Sequence, residues 1–238
     1  MINFEQTFNN FIIDESNKEA YKKALMCIEK PDKLYNPLFI QGDAYMGKTH
    51  LLNAIANKYM NDHPNSNVVY ITGMDFMEEA YLADENKTLD VFIPTFTNVN
   101  LLIFDEIMQI SNSTEAINAF NYIVKKAISN NIQVCLSSIE PFDKLLNICE
   151  FECKNSVNIS TPTEVVSYEI IKKICIEYFD SVVFKDDAFR YMAKIVSNED
   201  ASILELIIEM LKYLGLNNQT KIVDSETIQK ALDSQNKK

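Results

Sequence analysis

Gly42-Asp43-Ala44-Tyr45-Met46-Gly47-Lys48-Thr49 fits every fixed position of the pattern G-x-x-x-x-G-K-[ST]. In that pattern the glycines let backbone N–H groups turn toward a phosphate, the lysine reaches the β- and γ-phosphates and the hydroxyl holds Mg²⁺. The pattern has meaning only between a strand and a helix. Before it, Pro37-Leu38-Phe39-Ile40-Gln41 is a short apolar run suited to a buried strand; after it, Leu51, Leu52, Ile55, Ala56 and Tyr59 recur at helical spacing. Only 4 glycines occur in 238 residues, so two at the ends of one loop carry weight.

The alternation continues outward from this loop. Val68–Thr72, Leu101–Asp105, Ile132–Ser137 and Val157–Ile159 read as strands, with helical stretches near 75–93, 114–129 and 142–150. Nearly continuous apolar strands separated by helices predict an α/β fold with a parallel sheet covered on both faces. Thr161-Pro162-Thr163-Glu164 then reads as a capping box, with Thr161 as cap, Pro162 first in the helix and Glu164 third. From there the sequence predicts helices only, at about 163–179, 186–197, 201–214 (closed by Gly215) and 225–233, with Asn236-Lys237-Lys238 fraying. The expected organisation is an α/β nucleotide-binding domain over 1–160 and a small all-helical domain over 161–238.

Composition narrows the function classes. With 47% apolar residues the chain can bury an ample core, which excludes disorder and repeat or collagen architectures. No apolar run approaches the ~20 residues that span a bilayer, and the N-terminus lacks the basic-then-apolar order of a signal peptide, so a cytoplasmic protein is expected. Net charge is −12, which argues against a large phosphate-contacting surface. Among the 22 basic residues every one except Arg190 is lysine. The five cysteines read as free thiols; Cys149 and Cys153 sit one helical turn apart, but two histidines leave little to complete a metal site.

A nucleoside triphosphate site needs a second half, an acidic residue ending a neighbouring apolar strand. Leu101-Leu102-Ile103-Phe104-Asp105-Glu106 supplies it. Asp105 would support Mg²⁺ together with Thr49, and Glu106 would orient or polarise the attacking water.

Three groups of residues in order, Thr7 to Asn17, Tyr35 to Ile40 and Gly47 to Ile55, give the chain a resemblance to the ATPase region of the bacterial replication initiator DnaA. The similarity continues through Val68–Ile71, Asn98–Asp105 and Gln133–Ser138 and weakens after residue 139. The resemblance implies an AAA+ fold, a five-stranded parallel sheet with a helical lid. It implies ATP or ADP with Mg²⁺ as ligands, bound by the whole loop: Gly42, Asp43, Ala44, Tyr45, Met46, Gly47, Lys48 and Thr49. It also implies an adenine cradle from Phe8, Phe11, Ile12 and Ile13, with Asn17 and His50 beside it. Ser137 or Ser138, ending the fourth strand, would be the first sensor of the γ-phosphate. Lys48 and Glu106 complete the expected catalytic set.

The sequence begins just before these motifs and ends after the expected lid, so DnaA's helicase-contacting and duplex-reading domains are not expected in it. That organisation resembles Hda, a stand-alone relative that stimulates ATP hydrolysis by DnaA, and the helicase-loader branch of the superfamily. Two arginines that such proteins use are missing. An arginine finger, worth a factor of ~10³–10⁵ in rate, would fall within Pro141 to Lys154, where only Lys144 and Lys154 are cationic; a lysine is a poor stand-in for a planar guanidinium. The second sensor arginine would fall at Leu204. Arg190, on the preceding helix, reads as a surface residue.

ATP binding is therefore expected and efficient hydrolysis is not. The expected role is regulation of replication initiation through contacts with DnaA, the sliding clamp or the replicative helicase. A helicase loader and a non-catalytic ATP-gated adaptor are the alternatives. Glu5-Gln6-Thr7-Phe8 is a weak match to a clamp-docking motif. The segment from Asp75 to Thr97, where DnaA grips single-stranded DNA with basic residues, carries six acidic residues and Lys87 alone, so direct DNA binding is not expected. The sequence leaves monomer, dimer and self-assembly open. Phe120, Tyr122, Tyr168, Tyr178 and Phe179 are expected in the core.

Overall fold

The structure, a computed structural model, describes residues 2–29, 35–44, 46–179, 182–198 and 222–233. Five strands, β1 (Leu38–Gln41), β2 (Val68–Thr72), β3 (Leu101–Asp105), β4 (Gln133–Ser138) and β5 (Asn155–Asn158), form an all-parallel sheet in the order β2-β3-β4-β1-β5. Parallel strands need crossovers. These include α2 (Lys48–Asp62), α3 (Gly73–Glu85), α4 (Leu89–Thr97) and α5 (Thr114–Ser129), with α1 (Lys18–Glu29) ahead of β1. Every residue of β3 and β4 is buried, as a strand covered on both faces requires.

One core layer is built from phenylalanines. Phe76 of α3 meets Phe104 of β3 edge-on at 5.1 Å, and Phe104 meets Phe120 of α5 at 5.0 Å. Such pairs add about 0.5–1.5 kcal/mol each beyond their buried area. They fix α3 and α5 over β3, and so fix the strand that ends in Asp105.

The described residues of Met1–Phe11, Lys18–Asp43 and Gly47–Ile159 make one compact unit; those of Ile12–Asn17, Ala44–Met46 and Ser160–Lys238 make a second. The second contains α6 (Glu164–Tyr178), β6 (Val183–Phe184), α7 (Asp186–Asn198), β7 (Ile222–Val223) and α8 (Ser225–Asp233). Ile171, Cys175, Phe189, Met192, Val223 and Ile228 belong to its core. Among the described residues no helix is long and apolar enough to cross a membrane.

Several expectations are corrected. The helix near 75–93 is two helices, because Lys87 turns left-handed at φ 58° and the Asn86 side chain bonds back to the Leu82 carbonyl (2.8 Å). The helix near 142–150 reduces to a 3₁₀ turn at Phe142–Leu145. Downstream, Asn121 takes the backbone groups a helix would need, donating to the Ile148 carbonyl and accepting from the Glu150 N–H, both at 2.7 Å. The cap of α6 is Thr163, not Thr161, and Pro162 precedes the helix. "Helices only" fails as well, since β6 and β7 pair in parallel. The fifth strand starts at Asn155, earlier than its apolar residues signal, with Lys23 donating to the Ser156 carbonyl at 2.9 Å. Tyr122 is 53% exposed rather than core, with the Lys126 ammonium 5.6 Å from its ring centre. Arg190 is exposed and paired to Asp186 at 2.6 Å. The expected helix 201–214, Gly215, Leu204 and Asn236-Lys237-Lys238 lie outside the described residues, as does Tyr45.

Candidate functional site

The phosphate-loop residues lead directly into α2. Gly47 adopts φ +94°, left-handed geometry that costs any other L-residue about 1–2 kcal/mol, and the Phe11 ring stands 3.3 Å from where a Cβ would sit. Lys48 opens α2 and is 3% exposed. Its Nζ donates to the Gly42 carbonyl (2.8 Å) and the Asp43 carbonyl (2.9 Å) and pairs with Glu106 Oε1 at 2.9 Å. Three donors thus meet three acceptors. Without them, burying an ammonium would cost several kcal/mol.

Asp105, 4% exposed at the end of β3, is the second centre. Its Oδ2 accepts from the Thr49 hydroxyl (2.8 Å) and the Tyr70 phenol (2.7 Å), and its Oδ1 accepts from the Ser137 hydroxyl (2.5 Å). Glu106 follows at φ 58°, and its N–H donates to the same Ser137 oxygen at 2.9 Å. The structure therefore separates the two serines. Ser137 is joined to both acidic residues, whereas the Ser138 hydroxyl accepts from the Glu140 N–H at 3.1 Å, within the turn after β4.

Phe8 and Phe11 sit in the first unit and pack on Tyr21, with ring centres at 5.3 and 6.0 Å. His50 Nε2–H donates to the Thr7 carbonyl (3.0 Å), and the ring meets Phe11 edge-on at 5.2 Å, so it holds the turn that carries both phenylalanines. Ile12, Ile13, Asn17, Ala44 and Met46 group with the second unit. There the Asn17 amide is spent on its own loop, donating to the Ile12 carbonyl and accepting from the Asp14 N–H, both at 3.0 Å.

Three residues that sequence reasoning missed support this site. Gly73 is one of the four glycines; a Cβ on it would stand 2.3 Å from the Glu106 carbonyl oxygen, so only glycine lets the two segments approach. Its scarcity was the available signal. Tyr70 lies on the same sheet face as Asp105, which the two-residue period of adjacent strands makes legible only once their register is known. Burial, then the Asp105 charge, pushes the Tyr70 phenol above its ordinary pKa, so it remains a donor. Asn53, 2% exposed on α2, ties the N-terminal arm to the loop helix: its Nδ2 donates to Gln6 Oε1 (2.7 Å) and the Thr49 carbonyl (2.9 Å), while Oδ1 accepts from the Asn3 N–H (2.9 Å).

Chemically, a buried ammonium, a hydroxyl-carboxylate pair and a left-handed glycine opening a helix form a donor set that fits a nucleotide phosphate with Mg²⁺. Between β4 and β5 no guanidinium is present; Lys144 pairs with Glu140 at 3.0 Å and Lys154 with Glu152 at 3.3 Å, all on the surface. Beside β2 lies a cavity of about 430 Å³, lined in part by Tyr70, Asp75, Glu78 and Glu79. Burial, reinforced by Asp75, raises the Glu79 carboxyl above its usual value.

Known proteins resemble this chain in sequence and in fold. The sequence profile described as "Bacterial DnaA ATPAse domain" matches residues 2–156. The chain is 32% identical over 224 residues to the chromosomal replication initiator protein DnaA of Nautilia profundicola, covering 91% of this chain and 50% of that protein. It spans about half the length of the curated relatives it matches. Domain III of the Thermotoga maritima replication initiation protein DnaA superposes with a TM-score of 0.79 at 23% identity, covering 98% of each chain. AMPPCP-bound DnaA from Aquifex aeolicus gives 0.72 at 25% identity, covering 91% of this chain and 68% of that one. With the profile match, the sheet order and the paired motifs in agreement, the chain belongs to the bacterial DnaA ATPase domain family, with an AAA+ fold.

Proposed function

We propose that this chain binds ATP or ADP with Mg²⁺ and acts as a nucleotide-responsive regulator of replication initiation through protein contacts, with slow hydrolysis on its own. The observation that carries this reading is the buried Lys48 ammonium, held by two loop carbonyls and Glu106 next to the Thr49–Asp105 pair. In this reading 1–160 is the nucleotide-binding body and 161–238 the lid. Lys48 neutralises phosphate charge, Thr49 and Asp105 hold Mg²⁺, and the Phe8–Ile13 stretch carries the base. Mg²⁺, when bound, supplies further charge neutralisation. Glu106, once released from Lys48, orients water, and Ser137 keeps Asp105 and the Glu106 backbone in place. The AMPPCP-bound neighbour supports the nucleotide assignment.

Slow turnover follows from the lack of a guanidinium between β4 and β5. The acidic faces of α3 and α4 disfavour oligonucleotides, which leaves DnaA, the sliding clamp or the replicative helicase in the cytoplasm as partners. Titration with a fluorescent ATP analogue tests the first claim: Lys48→Ala should weaken binding ~10–100-fold, the loss expected for a charge-assisted hydrogen bond of about 1.5–3 kcal/mol. Steady-state turnover should lie below the ~1–10³ s⁻¹ common for enzymes; several turnovers per second would overturn it. Submicromolar oligonucleotide binding at low salt would overturn the partner assignment, and pulldown with the three candidate partners identifies which is bound.

A further inference from the structure

The three hydroxyls on Asp105 have different origins. Thr49, from the phosphate loop, is expected from the sequence, and Ser137, from β4, is one of the two serines the sequence offers. Tyr70 comes from β2, the edge strand, whose register sets Tyr70 opposite Ile103 and Thr72 opposite Asp105. Tyr70 and Asp105 are thus diagonal neighbours on one face, a separation that a long aromatic side chain can bridge. The phenol closes that gap with a 2.7 Å hydrogen bond to Oδ2, the oxygen that also accepts from Thr49.

We infer that Tyr70 is a positioning residue: it fixes the rotamer of Asp105 so that the carboxylate and the Thr49 hydroxyl present a ready-made seat for a divalent cation. The inference rests on the nucleotide reading above. A carboxylate that binds a metal is itself held by outer hydrogen bonds, and losing such a partner commonly costs ~10–100-fold in metal affinity. Tyr70 touches neither the loop carbonyls nor Lys48 in the hydrogen bonds described, so its removal acts on the metal-dependent part of binding alone.

The test separates the two readings. N-methylanthraniloyl-ATP is titrated into the wild type, Tyr70→Phe and Tyr70→His, each with EDTA and with millimolar Mg²⁺, and thermal melts check folding. Expected are equal affinities in EDTA within about twofold and, in Tyr70→Phe, a ~10-fold smaller gain on adding Mg²⁺. Tyr70→His, which keeps a ring N–H at that position, should lose less of that gain, with the same sign, and serves as the readout if Tyr70→Phe does not fold. A wild type that binds in neither condition overturns the nucleotide reading and this inference with it. A wild type that binds without a Mg²⁺ gain overturns the Mg²⁺ part of that reading together with this inference, whereas variants that keep the full wild-type gain overturn the positioning role alone.

Discussion

Gly73 and Glu106 show how much one missing methyl group decides. The Glu106 carbonyl lies where a Cβ on residue 73 would be, 2.3 Å away, and both partners are backbone, so neither can swing aside. Gly73→Ala should therefore destabilise the protein by about 1–3 kcal/mol, as overpacking does. For a chain of this size that is a fall of several degrees in Tm, at roughly 2–4 °C per kcal/mol, read by calorimetry. Glu106 makes a second prediction. Glu106→Gln removes the carboxylate from Lys48 but leaves the two loop carbonyls in place, so ATP affinity should hold or rise while any hydrolysis falls. Reduced affinity would mean that the pair supports the loop rather than competing for it.

At the level of elements, legibility followed how local each signal was. β2, β3 and α5 sit where the sequence sets them, because unbroken apolar runs and a 3.6-residue period are properties of the segment itself. The helix expected over 142–150 failed because Asn121, more than twenty residues upstream, captures its backbone groups. The joint between α3 and α4 failed because one left-handed residue, Lys87, breaks an otherwise continuous pattern. That joint is testable. Lys87→Gly relieves the left-handed strain and should stabilise the fold by about 0.5–1 kcal/mol, with a matching rise in the urea midpoint. In the site, the loop, Asp105 and Glu106 were readable as contiguous motifs. Tyr70, Gly73 and the choice of Ser137 over Ser138 were not, since each depends on strand register.

Across the whole molecule, acid sensitivity should begin in the second unit. The Lys185 ammonium and the Thr227 hydroxyl and N–H hold the Asp224 carboxyl at about 2. Hydrogen bonds from Tyr168 and Arg190 lower Asp186, and the Ser225 N–H and hydroxyl lower Asp187. A carboxyl depressed on folding stabilises the native state above its unfolded pKa of ~3.9, and that stabilisation drains away as pH falls toward the native value. Melting temperature should decline between about pH 4 and pH 2, and Asp224→Asn should flatten part of that decline in melts followed by circular dichroism. High salt should shrink the effect, because Asp186 and Asp187 are exposed and Asp224 is only partly buried. At neutral pH the ion pair between Lys48 and Glu106 has another consequence. Any anion arriving at Lys48 must evict a tethered rival of the same charge, so measured affinity is an exchange constant. Altering the rival would retune that constant without altering a single atom of the loop.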